Sequence, residues 1–143
     1  MEPMTLAQAS GIVDHALARA RDGGFKPVTV AVLDAGGHLL ALKREDGCGM
    51  LRVQIAQAKA WGALGMGVGS RALAARAAEA PAFFAALTDI AAGRIVPVAG
   101  GVLVRDCAGR VIGAVGISGD YPDNDEAGAV FGIEAVGFVA DGG

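Results

Sequence analysis

Between Gly100 and Glu126 the chain reads as a glycine-bounded β-hairpin running straight into an acid-rich helix start. Its arms are Val102–Asp106 and Arg110–Ser118, with Cys107-Ala108-Gly109 turning between them. The same grammar occurs earlier, where Val28–Asp34 turns at Ala35-Gly36-Gly37 and returns over His38–Glu45. Glycine supplies the positive φ that such tight turns require. The likeness of Asp34-Ala-Gly-Gly to Asp106-Cys-Ala-Gly is read as shared turn chemistry rather than duplication. Two hairpins separated by helical stretches describe an α+β domain.

A chain of 143 residues suits one domain spanning 1–143. Hydrophobic residues make up 53%, much of it alanine beside 23 glycines, which favours close backbone packing within and between subunits. The net charge of −3 comes with no basic run, arguing against a nucleic-acid surface. No apolar run approaches the roughly 18–20 residues that span a bilayer, so no membrane partner is expected. Met1–Ala9 has neither a cationic start nor an apolar stretch and does not read as a secretory leader. The two cysteines, Cys48 and Cys107, lie far apart without a zinc or redox spacing. They read as free thiols in a reducing cytoplasm.

The first helix is expected from an N-cap at Thr5 to about Asp22-Gly23-Gly24, with Leu6, Ala9, Val13, Ala16, Leu17 and Ala20 in one apolar stripe. His15 falls roughly 150° from the centre of that stripe and faces water or another subunit. Val28–Asp34 is apolar on both faces, as in a strand covered on both sides. The helix from Met50 to about Gly67 carries two apolar stripes: Leu51, Ile55, Ala58, Gly62 and Met66, and opposite them Val53, Ala60 and Leu64. Arg52 and Lys59 share the polar strip between. Such a helix must be buried on two sides, one of which can take the sheet. Short helices are expected over Ser70–Ala78 and from Pro81 through Leu87, then an irregular crossing over Ala91–Val98. A last helix begins near Asp123, with Glu126 completing a capping box, and its apolar positions run to Val139.

The ordered set Val32-Leu33-Asp34-Ala35-Gly36-Gly37, Arg44-Glu45-Asp46-Gly47, Ile55-Ala56-Gln57-Ala58-Lys59-Ala60, Gly100-Gly101, Gly109 to Gly119 and Asp125-Glu126 resembles the GlcG/HbpS family, also known as the haem-degrading or PduO C-terminal-domain family. The resemblance covers nearly the whole chain. It implies a profilin-like fold, a five-stranded antiparallel sheet with helices on both faces. It also implies assembly into dimers or larger rings such as octamers, and links to haem or related tetrapyrroles and to small-acid catabolism. Arg44-Glu45-Asp46-Gly47-Cys48 and Gly67-Val68-Gly69-Ser70 depart from the family's usual pattern, and the segment between Ser118 and Asp125 is more acidic than usual.

Arg44, Asp46 and Lys59, with the Gly100-Gly101 backbone, form a candidate anion-holding pocket, the cations neutralising a carboxylate and the glycines offering N–H groups. The alternative is a salt bridge that fixes the turn. His15 and Cys107 have the chemistry to hold haem iron, and two exposed ligands meet most easily around a tetrapyrrole between subunits. The alternative is an exposed histidine and an exposed turn cysteine. Asp123 and Asp125, with Glu134, only partly imitate a calcium loop, and helix capping explains the acids better. Asp125 and Glu126 are weak candidates for a general base. These residues point to a homo-oligomeric small-ligand-binding protein that takes haem, a tetrapyrrole or a small organic acid at a subunit interface. The rival reading is a cofactor-independent enzyme, or accessory subunit, acting on a carboxylate metabolite.

Overall fold

The computed structural model describes residues 2–143. In chain order the elements are α1 (Leu6–Asp22), β1 (Thr29–Asp34), β2 (Leu39–Arg44), α2 (Leu51–Met66), α3 (Ser70–Glu79), α4 (Pro81–Ile90), β3 (Gly101–Arg105), β4 (Val111–Ser118), α5 (Pro122–Ala135) and β5 (Val139–Asp141). The strands form one antiparallel sheet in the order β2-β1-β4-β3-β5. This is the α+β architecture that the resemblance implies, with helices on both faces. No helix among the described residues is long and apolar enough to cross a membrane.

Thr5 caps α1 as its sequence predicts: Gln8 N–H donates to Thr5 Oγ1 at 3.1 Å and Thr5 N–H to Gln8 Oε1 at 2.9 Å. Ala9, Val13, Ala16, Leu17 and Ala20 of the α1 stripe then pack with α5 over Val28, Val30, Val32, Val102, Val104, Val115 and Ile117, whereas Leu6, expected in the same stripe, stays exposed in the first turn. On the other face α2 brings Ala60 and Ala63 against Leu33, Leu103 and Ala114. Each fully buried side chain of valine or leucine size contributes about 1.5–3 kcal/mol. β1 is covered from both sides, which explains its continuous apolar run.

One glycine pair sets how α2 sits. Gly101 and Gly116 are register partners on neighbouring strands. A Cβ on Gly116 would stand 1.8 Å from Ala56 O, and one on Gly101 would stand 2.2 Å from Lys59 O. The paired glycines make a flat spot on which the backbone of α2 lies directly, so alanine at either position would push the helix off the sheet.

Three local expectations are corrected. The last helix stops at Ala135, because Gly137 takes a left-handed φ of 89° and its N–H closes on Glu134 O at 3.0 Å. The residues beyond it, expected to be helical through Val139, turn back as β5 and pair with β3. Asp123 is not an N-cap: that place is Tyr121, with no side-chain cap, and Pro122 opens the first turn. Lys59 does not lie on a polar strip but is buried against the sheet.

Candidate functional site

Lys59 ends in the interior, 3% exposed, and Asp125 meets it there, 2% exposed. Lys59 Nζ donates to Asp125 Oδ2 at 3.2 Å and to Ile117 O at 2.9 Å. The other carboxylate oxygen, Asp125 Oδ1, accepts the Asp120 N–H at 3.1 Å. Burial pushes the Lys59 ammonium below its ordinary range, against the pull of Asp125. Burial likewise pushes Asp125 upward, against the pull of Lys59. Gly100 and Gly101 wrap this pair. Gly100 has a φ of 122°, and a Cβ there would stand 2.8 Å from Lys59 Nζ. The Gly101 N–H does not face open space, because it donates to Ser70 Oγ at 2.7 Å, and Ser70 in turn donates to Val98 O at 2.6 Å. Glu126, next to Asp125, is held at the surface by Arg71 Nε at 3.0 Å.

Arg44 and Asp46 lie apart from that pair. They line a cleft of about 410 Å³ between α1 and β2, together with Arg21, Lys43 and Glu45. Three of its five charged side chains are paired within the chain, Arg21 Nε reaching Glu45 Oε2 at 2.8 Å and Lys43 reaching Asp14 at 2.8 Å, while Arg44 Nη1 donates to the Cys48 carbonyl at 3.0 Å. The five residues expected to share one pocket are therefore divided between an open cleft and a closed interior. Sequence spacing could not show this, because the division depends on the Gly101–Gly116 contact that draws Lys59 inward.

His15 is exposed on α1, and its ring Nδ1 donates to Gly11 O at 2.7 Å. A carbonyl only accepts, so Nδ1 carries a proton, which leaves Nε2 as the ring nitrogen able to ligate a metal. Cys107 is a free, exposed thiol on the β3–β4 turn. It lines a cleft of about 230 Å³ with Thr5 and Gln8, at the N-terminal end of α1. His15 lies seven residues beyond Gln8, about 10 Å along the helix axis, so one subunit does not bring the two together. Cys48, the other free cysteine, is buried with its Sγ 3.3 Å from Thr29 Oγ1. Among the described residues no three His, Cys, Asp or Glu side chains gather as a metal site.

Sequence pattern did not point to a fourth place, a cleft of about 340 Å³ beside α2 lined by Leu33, Gln54, Gln57, Trp61 and Arg94. The guanidinium of Arg94 lies over the Trp61 ring, 4.0 Å from its centroid. Trp61 is the only tryptophan in the chain, which was the one available signal.

A family model described as haem degrading protein HbpS-like matches residues 4–134. Among solved structures, the chain is similar to PduOC in its heme complex, at 25% identity and a TM-score of 0.85, over 96% of this chain and 97% of that one. It is similar to a double mutant of HbpS from Streptomyces reticuli, at 31% identity and a TM-score of 0.83, over 96% of this chain and 89% of that one. Protein ORFY of Klebsiella pneumoniae matches at 26% identity and a TM-score of 0.85, over 95% of this chain and 92% of that one. No curated protein shows a significant sequence match.

Proposed function

The chain belongs to the HbpS-like family, and from that premise we propose that it is a homo-oligomeric haem- or tetrapyrrole-binding protein with its ligand at a subunit interface. The observation that carries this reading is the His15 ring. Its Nδ1–H is held by Gly11 O at 2.7 Å and the ring is exposed, an arrangement that orients an imidazole for metal ligation through Nε2. Axial ligation of haem iron by histidine, with or without a thiolate, matches this donor set. Arg19, about one helical turn on, is half-buried with its guanidinium 5.3 Å from the Phe25 ring centroid, and offers a cation for a haem propionate. On the neighbouring helix Phe131 is 44% exposed, and the Gly132 beside it packs on Ile12 and Ala16 of α1.

A second copy supplies what one subunit lacks. Cys107 lies beside Gln8, which is about 10 Å along α1 from His15, so the two donors are brought to one iron by different copies. Leu39, Met50, Leu51, Phe83 and Ile90 are all at least half exposed, as expected of a chain that covers apolar surface by self-association.

Titration of the purified protein with hemin tests the reading, with sedimentation velocity on the same samples. A Soret shift is expected, lost in His15→Ala and altered in Cys107→Ala, with an assembled species at micromolar concentration. Absence of any Soret shift overturns haem binding. An unchanged shift in His15→Ala removes the imidazole from the iron. A solitary subunit removes the interface.

A further inference from the structure

The geometry points to the Trp61–Arg94 cleft as a second binding site, one for a small planar carboxylate such as an aromatic acid. Arg94 is set there by the chain's turn. Ala92 has a φ of 54°, the only described non-glycine residue with a positive φ, and Gly93 follows at 80°. Two successive left-handed residues reverse the chain after α4. Such strained positions persist where the surrounding structure holds them. The Gly93 N–H closes on Thr88 O at 2.9 Å, and Arg94 Nε donates to Ala91 O at 2.8 Å.

That bond orients the guanidinium and uses only Nε. Both terminal amino groups of Arg94 lack a partner among the described residues, and no carboxylate pairs with them. Among the described residues every buried side-chain nitrogen or oxygen finds a partner, so the unbonded Trp61 Nε1–H is not fully enclosed. Gln54 is exposed, and Gln57 uses its amide nitrogen on Val53 O at 3.3 Å, keeping its carbonyl oxygen. Leu33, which is buried, and Ala58 contribute the apolar part of the lining.

A planar fork with two open N–H groups fits a carboxylate in bidentate fashion. Because the fork lies on the indole face, a carboxylate bound to it stands beside an aromatic surface, which favours a flat body behind the charge. The volume of about 340 Å³ admits a single ring rather than a macrocycle. This site shares no residue with the His15 surface and stands independently of haem binding.

Sodium benzoate is the probe, added to haem-free full-length protein while the emission of Trp61, the sole tryptophan, is followed. Saturable binding is expected, with affinity falling by about tenfold or more in Arg94→Gln. Benzamide, of the same shape without the charge, is expected to bind as weakly to the wild-type protein. Arg94→Lys retains charge without the fork and is expected to fall between them. If Arg94→Gln fails to fold, the benzoate–benzamide comparison on wild-type protein still decides. No saturable response, equal affinity for benzoate and benzamide, or undiminished benzoate binding by folded Arg94→Gln overturns the inference.

Discussion

Lys59 and Trp61 stand two residues apart on α2, and the charges they meet are left in opposite states. Lys59 is buried with its ammonium held by Asp125 and Ile117 O, and Asp125 is held in turn by the Asp120 N–H. Neither the α1–β2 cleft nor the cleft at Trp61 is lined by either of them. Trp61 opens to a cleft and carries a guanidinium with two amino groups that no acid in the described chain engages. Cation and aromatic or acid partner are present in both places. The difference lies in what remains unsatisfied: a closed pair organises the fold, whereas open donors above an apolar floor are available to a ligand.

The most severe way to break this contrast is Lys59→Met. It strands a buried carboxylate and is expected to cost about 3–5 kcal/mol in urea unfolding. Adding Asp125→Asn, which keeps an acceptor for the Asp120 N–H, should recover at least about 1 kcal/mol relative to the sum of the single variants. Additive losses would show that the two groups are not coupled and that Lys59 is not structural in the manner described.

A smaller effect lies in the pH dependence. The folded-state pKa of Lys59 is depressed, so between that value and the ordinary 10.5 the unfolded chain holds more protons and stability rises with pH. Asp125 is raised, so between the ordinary 3.8 and its folded value the native protein holds more protons and stability falls as pH rises. Urea midpoints across pH should show both slopes in the wild type. Neither should appear in the double variant, and a double variant with the wild-type profile would assign the slopes to other groups.

The smallest expected effect on folding sharpens the contrast most. Arg94→Gln should change stability by no more than about 0.5 kcal/mol, as at other exposed positions, while weakening benzoate about tenfold. A loss of stability comparable to that of Lys59→Met would make Arg94 a second closed contact instead of a site.

Much of the architecture was legible along the chain. The N-cap at Thr5, the doubly apolar β1, both hairpins and the outward place of His15 follow from cap chemistry, from periodicities of helix and strand and from turn glycines. β5 was not legible as a strand, since three residues carry too little alternation to outweigh an apolar continuation of α5. The stop at Gly137 was the available signal. Arg44 and Asp46 stayed at a surface cleft, while Lys59, an ordinary polar-strip residue by spacing, went inside.

Sequence alone therefore determined the element types, the hairpin turns and the resemblance to a family, because these rest on contacts between near neighbours along the chain. Tertiary structure decided which charges are enclosed and which are open. That outcome depends on residues far apart in sequence: Gly101 against Gly116, Lys59 against Asp125, Arg94 over Trp61. Enclosure is a property of the packed layers, since a charge is held in place only after the helix lies on the sheet, and no local spacing records how closely it will lie.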